Sequence, residues 1–193
     1  MSDNTFFAYI SRLKNLTRWN SMRCNSKENV AEHSFTSATI AHTLGLISNK
    51  YFNGNVNPEK LAVCALLSNS YQAITGDMPS PLKRNNPTVK EAYESMEEDA
   101  KNKLLDGLPE DFREDYETLL FLEQDDYETK LVNASNLLSS YVKCVEECSS
   151  GNADFEGALT NILDKLNNTG LPEVEYFLRL FDDGLGKSLD ELE

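Results

Sequence analysis

The chain has 193 residues, 40% of them hydrophobic, which is enough to bury a sizeable single core, and no Pro/Gly/Ser-rich linker divides it, so one domain over 1–193 is expected. A formal charge of −14 excludes binding of long nucleic acid by backbone neutralisation, which needs a basic stripe, but leaves a mononucleotide open. No apolar run is long enough to span a membrane, and the N-terminus lacks the basic and apolar segments of a secretory signal. Cys24, Cys64, Cys144 and Cys148 are too sparse for a disulfide framework, so a reduced cytoplasm is the expected compartment. In chain order, Val30, Phe35, Ala38, Ile40, Ala41, Leu44 and Ile47 recur at helical spacing up to Tyr51, and Asn53-Gly54-Asn55 ends the run. Asn57 then caps a helix with Pro58 in its first turn. That helix is expected to pass through Leu61, Cys64, Ala65 and Leu67 and to carry Ser68, Asn69 and Gln72 at its end, with Asn69 and Gln72 on one face. Thr75-Gly76-Asp77 opens a loop held by Pro79, Pro81 and Pro87. Further helices are predicted over 88–105, 109–122, 126–149, 153–166 and 172–181, each bounded by Gly, Pro, Asn or a charged turn. No strand-like alternation and no internal repeat interrupts them, so the predicted fold class is all-α. The acidic runs at 94–99, 110–117 and 123–128 read as solvated helix faces. Cys144 and Cys148, one turn apart, read as small residues on a helix face, because structural zinc takes four ligands and the chain has two histidines.

Function has to be sought in short motifs. Arg18-Trp19, Glu32-His33-Ser34, Ser68-Asn69 with Gln72 after it, Thr75-Gly76-Asp77-Met78-Pro79-Ser80-Pro81 and Asn133-Ala134-Ser135-Asn136 follow one another in that order. Each has a plain reading by itself: His33 as an ordinary helix histidine, Arg18 as a surface charge beside a core tryptophan, Asp77 as a turn residue. His42, about half a turn out of phase with His33, reads as structural or partly exposed. As a series, however, the motifs resemble the HD superfamily of metal-dependent phosphohydrolases. Within it the match is to the bacterial 5′-deoxynucleotidases, which carry Arg-Trp, Glu-His-Ser, His-Asp-x-x-Glu, Thr-Gly-Asp-x-Pro-x-Pro and a late helical Asp. The likeness runs over nearly the whole chain, including Tyr141-Val142-Lys143-Cys144 and Tyr176-Phe177, and is strongest from residue 6 to 82. It implies a single HD-domain-like helical bundle, a homodimer, a small-molecule nucleotide as partner and, in the family, a divalent cobalt, manganese or zinc ion. It implies that Arg18 orients the substrate phosphate, that Trp19 lies against the sugar and that His33 lines the pocket. Asp77, Met78, Pro79 and Ser80 would lie along the nucleoside and help select the deoxyribose.

The departures from the family pattern carry the chemistry. Where the family has His-Asp this chain has Ser68-Asn69; Gln72 replaces the acid three residues on, and Asn136 replaces the late Asp. Of the ligand positions at His33, Ser68, Asn69 and Asn136, only His33 keeps its residue. Divalent ions are held by carboxylate charge and imidazole, and two amides and a short hydroxyl supply neither. Gln72 cannot exchange a proton near neutral pH, which closes the general acid or base role. The Asp-to-Asn and Glu-to-Gln changes are nearly isosteric, so shape is retained where charge is lost. No metal is therefore expected, while Arg18, Trp19, His33, Asn69, Asp77, Met78, Pro79, Ser80 and Asn136 remain as substrate-binding candidates. The leading reading is a catalytically inactive protein that keeps a pocket for a (deoxy)nucleoside monophosphate. The alternatives are an active 5′-nucleotidase with an altered site and a helical interaction protein with a vestigial pocket.

Overall fold

The computed structural model describes residues 4–78, 86–123 and 126–193, and its described residues form α-helices and short 3-10 turns with no strand. After a short α1 (Phe6–Ile10), which the sequence reading did not predict, the chain reaches α2 (Val30–Tyr51). A capping box starts α2: the Asn29 side chain accepts from the Glu32 amide, and the Glu32 carboxylate accepts from the Asn29 amide. The glutamate of Glu32-His33-Ser34 is thus a helix-starting residue. Val30, His33, Ile40, Ala41, Leu44 and Ile47 form the buried side of α2, but Phe35 is 68% exposed. Two residues beyond His33 it is turned to the opposite face of the helix, so its inclusion in the apolar period was wrong.

Helix α3 (Pro58–Leu67) begins as predicted, with the Asn57 side chain accepting from the Lys60 amide and Pro58 in the first turn. It packs closely on α2 at Gly45, where a Cβ would stand 3.0 Å from Leu61 Cδ1 and 3.1 Å from Pro58 Cα. It ends at Leu67 and does not continue to Gln72. Ser68 Oγ donates to the Ala65 carbonyl at 2.8 Å, the Ser70 amide bonds to the Leu67 carbonyl, and a separate short α4 (Gln72–Thr75) follows. Beyond it lie α5 (Pro87–Asp106), α6 (Arg113–Leu120), α7 (Tyr127–Ser149), α8 (Glu156–Asn167) and α9 (Pro172–Phe181). Pro87 opens α5, capped by Asn86, and so belongs to a helix and not to the preceding loop. The predicted helices at 109–122 and 153–166 each open as a 3-10 turn, Glu110–Phe112 and Ala153–Phe155.

Helices α2, α3, α7, α8 and α9 enclose the main core around Leu44, Leu61, Leu131, Leu138, Phe155 and Val174. At about 1.5–3 kcal/mol for each large apolar side chain removed from water, this cluster is what holds α7 against α2 and α3. A second cluster gathers Phe6, Leu67, Leu104, Leu105 and Leu120 around α1, α5 and α6. The four cysteines are free thiols. No helix among the described residues is long and apolar enough to cross a membrane. The N-terminal part of α2, the end of α3 and the middle of α7 meet at one point, and the motif residues are found there.

Candidate functional site

Arg18 and Trp19 lie in the segment between the 3-10 turn Leu13–Asn15 and α2. Its two ends are tied together: Arg18 N–H donates to the Glu28 carbonyl and Val30 N–H to the Leu16 carbonyl, each at 2.9 Å, around an antiparallel bridge between Thr17 and Asn29. Within it, Glu28 Oε2 accepts from Arg18 Nη1 at 2.7 Å and from Trp19 Nε1 at 2.9 Å. Burial pushes the Glu28 carboxyl up from its ordinary value, against the opposing pull of the Arg18 charge and the indole N–H. Arg18 Nη2 donates to Ser140 Oγ on α7 at 3.2 Å, and the guanidinium lies 5.5 Å from the Trp19 ring centroid. Trp19 has a φ of 59°, a left-handed conformation that costs energy for a bulky residue and persists only where surroundings dictate it. Glu28 on one side and the Phe155 ring, 5.2 Å away, on the other provide that constraint.

The same segment is fastened to α7 from below. Glu147 accepts from the Asn25 amide at 2.8 Å, the Ser26 amide at 3.1 Å, Asn152 Nδ2 at 2.7 Å and Lys143 Nζ. Burial alone would raise the Glu147 carboxyl, but the hydrogen bonds from Lys143, Asn152, Asn25 and Ser26 outweigh it and hold the pKa at about 2. The sequence reading singled out neither Glu28 nor Glu147. The available signals were faint: an i,i+4 Lys143/Glu147 pair, and two side-chain donors in Arg18-Trp19 that call for an acceptor.

The positions at which the resemblance places metal ligands do converge. Asn69 Nδ2 donates to Asn136 Oδ1 at 2.8 Å and to Ser68 Oγ at 3.2 Å; Asn136 Nδ2 donates to Ser68 Oγ and to the Val132 carbonyl, both at 3.1 Å. Gln72 Nε2 extends the network to Asn69 Oδ1 at 3.2 Å, and Gln72 Oε1 is buried with no partner among the described residues. His33 is buried, with Nδ1 2.8 Å from Ser139 Oγ. Burial first, and the Arg18 charge second, drive its pKa well below the ordinary histidine value in spite of Asn136, so the ring is neutral at neutral pH. A divalent ion does not fit this donor set. One imidazole is present, every carboxylate is replaced by an amide, and the amide donors occupy the space between the side chains with hydrogen bonds to one another. Among the described residues no group of three or more His, Cys, Asp and Glu is placed to hold a metal.

Beside this cluster opens a cleft of about 430 Å³, within the range usual for small-molecule sites. Arg18, Trp19, Asn20, Ser21 and Met22 form one wall, and Asp77 and Met78 stand at another. Leu137 and Ser140 of α7 lie along the cleft, and Ala158, Asn161, Ile162 and Lys165 of α8 close it. The structure therefore brings four of the predicted residues, Arg18, Trp19, Asp77 and Met78, to one cavity. His33, Ser68, Asn69, Gln72 and Asn136 are not in its lining; they sit behind Arg18 and Ser140, whose hydroxyl donates to the Asn136 carbonyl at 3.1 Å. Pro79 and Ser80, with Pro81, Lys83 and Arg84, lie outside the described residues. His42 is half-buried and apart from the site. The α8 wall was missed, although Ala158, Asn161, Ile162 and Lys165 have the spacing of a single helix face.

Residues 5–185 match the family of YfbR-like 5′-deoxynucleotidases. A 5′-deoxynucleotidase of Photobacterium profundum is 41% identical over 195 residues, covering 100% of both chains. A 5′-deoxynucleotidase of Vibrio parahaemolyticus is 40% identical over 193 residues, again with 100% of each chain covered. Among solved structures, an HD-domain phosphohydrolase from Listeria innocua superposes with a TM-score of 0.81 at 23% identity, over 95% of this chain and 90% of that one, which is a likeness of fold. With its helical fold, its Arg18-Trp19 wall and its match from residue 5 to 185, the chain belongs to the YfbR-like 5′-deoxynucleotidase family.

Proposed function

We propose that this chain, one domain over 1–193 acting in the cytoplasm as a homodimer, binds a deoxynucleoside monophosphate in the cleft and does not hydrolyse it. The carrying observation is the amide cluster: Ser68, Asn69, Gln72 and Asn136 hydrogen-bond to one another where hydrolysis would need ligands and a proton carrier. The family's metal neutralises phosphate charge and lowers the pKa of a bound water from about 15.7 toward 7; an amide cluster does neither. Gln72 holds the position of the acid and has no proton to exchange near neutral pH. The described residues of the binding half support this reading. Arg18 offers guanidinium hydrogen bonds to a phosphate, Trp19 presents a half-buried ring to the sugar, and Asp77 and Met78 face the same cavity. Elemental analysis of the purified protein is expected to find no stoichiometric divalent metal. Calorimetry with deoxynucleoside monophosphates is expected to show binding without phosphate release. About one cobalt, manganese or zinc per chain, lost on His33→Ala, would overturn the inactive reading.

The second reading is an active 5′-nucleotidase, with neutral His33 as the base and Arg18 clamping the phosphate. The names of relatives about 40% identical favour it. Phosphate release well above a buffer blank would establish it.

A further inference from the structure

The geometry points to Glu28 as a positioning residue for the cleft, one that holds Arg18 and Trp19 in fixed relation to each other so that the phosphate and sugar contacts are presented together; the inference rests on the nucleotide reading above. A single oxygen joins the two. Glu28 Oε2 accepts from Arg18 Nη1 at 2.7 Å and from Trp19 Nε1 at 2.9 Å, so two consecutive residues of the cleft wall share one acceptor. Glu28 itself is not in the lining, and any effect on a ligand therefore passes through its two donors. Its own backbone is fixed. The Glu28 carbonyl accepts from the Arg18 amide at 2.9 Å, and the next residue, Asn29, pairs with Thr17 and caps α2. The donors are thus tied to a carboxylate that cannot drift with them.

A counter-ion role for Glu28 accounts for only half of this arrangement. The Arg18 and Glu28 side chains are 15% and 12% exposed, and the desolvation cost of so buried a pair offsets much of its attraction. The indole bond needs a separate reason. Trp19 stands at a φ of 59°, with the Phe155 ring 5.2 Å away and the Arg18 guanidinium 5.5 Å from its ring centroid. Those contacts act on the ring system as a whole, whereas the Nε1 bond directs one edge of it toward Glu28. A side chain ordered before the ligand arrives loses no rotamer freedom on binding, which is how Glu28 strengthens binding without touching the nucleotide.

Calorimetry with dAMP on two variants of the full chain tests the assignment. Glu28→Ala and Glu28→Gln remove the same charge, but the glutamine oxygen can accept both bonds and alanine accepts neither. Glu28→Ala is expected to bind dAMP about five- to tenfold more weakly than Glu28→Gln, the equivalent of one ordinary hydrogen bond. The chain has one tryptophan, so proton–nitrogen NMR shows a single indole N–H, expected to be protected from solvent exchange in the parent and in Glu28→Gln. Folded Ala and Gln variants with dAMP affinities within about twofold of each other would overturn the inference and leave the nucleotide reading in place. An unprotected indole proton in the parent would overturn it even if Glu28→Ala fails to fold, as would a tenfold loss of dAMP affinity in Glu28→Gln with the indole still protected. A parent chain that binds no dAMP at millimolar concentration would overturn the nucleotide reading and the inference with it.

Discussion

Asn136→Asp places a carboxylate at the centre of the amide cluster, and the structure fixes what that should cost. Asn136 Nδ2 donates to Ser68 Oγ and to the Val132 carbonyl, both at 3.1 Å, and an ionised carboxylate donates to neither. Two lost hydrogen bonds are worth about 1 kcal/mol each, and an anion held against the Val132 carbonyl in a half-buried site adds about 1 kcal/mol more. The total is about 3 kcal/mol at pH 7, or roughly 6–12 °C in unfolding midpoint for a chain of this size. Asn136→Ala removes these bonds and the 2.8 Å bond from Asn69 Nδ2 as well, but adds no charge, so its cost should not vary with the titration of a carboxyl. The pH dependence separates the two. The introduced carboxyl has a folded pKa raised above the unfolded value near 3.9, so the charge-dependent part of its penalty is absent below about pH 4 and is complete once pH has risen through the folded value, while the loss of one amide N–H bond persists at every pH. Scanning calorimetry of the parent and both variants between pH 3.5 and 8 measures all of this. A midpoint for Asn136→Asp within about 2 °C of the parent at pH 7 would refute the reasoning, because the cluster would then tolerate the charge that it is argued to have excluded.

Arg18→Ala should weaken deoxynucleoside monophosphate binding by about 1.5–3 kcal/mol, since it removes a charge-assisted contact and leaves Glu28 exposed to the phosphate; calorimetry showing an unchanged Kd would contradict this. Glu147→Gln leaves the Lys143 ammonium buried without its counter-charge and should cost about 3 kcal/mol at pH 7 in denaturant titrations. Because the folded pKa of Glu147 lies at about 2, below its ordinary 4.5, its contribution is full above 4.5 and is lost as pH falls through about 2. The gap between parent and variant should therefore narrow toward pH 2, and a gap independent of pH would show that the charge is not what matters. The combined change Ser68→His, Asn69→Asp, Gln72→Glu and Asn136→Asp should recover divalent metal binding, detected by elemental analysis, and with it some phosphate release from deoxynucleoside monophosphates. A folded, metal-loaded variant that releases no phosphate would show that the cleft has diverged beyond these positions.

Helices whose ends are marked by local chemistry were legible in the sequence. Asn57 with Pro58, and Pro172, each fix a start through contacts within a few residues, and α3 and α9 begin where those signals stand; the Asn29–Glu32 box that starts α2 was equally local but went unread. The end of α3 was not legible, because it is set by Ser68 folding back onto the Ala65 carbonyl and by the cluster with Asn136, 68 residues away. Arg18, Trp19, Asp77 and Met78, each named from a motif, line one cleft. Glu28, Glu147 and the α8 wall were not found, since the two carboxylates act through partners distant in sequence and the wall forms only when α7 and α8 pack. Phe35 shows the opposite failure, an apolar residue at a helix start whose phase points it to solvent.

The most direct test is phosphorus NMR of the full chain with dAMP, followed for hours with and without added manganese or cobalt. The expected result is a dAMP resonance shifted or broadened by binding, with no growth of inorganic phosphate in either sample. Inorganic phosphate that accumulates above a protein-free blank, and ceases to do so in His33→Ala, would contradict the proposal that this chain binds its nucleotide without cleaving it.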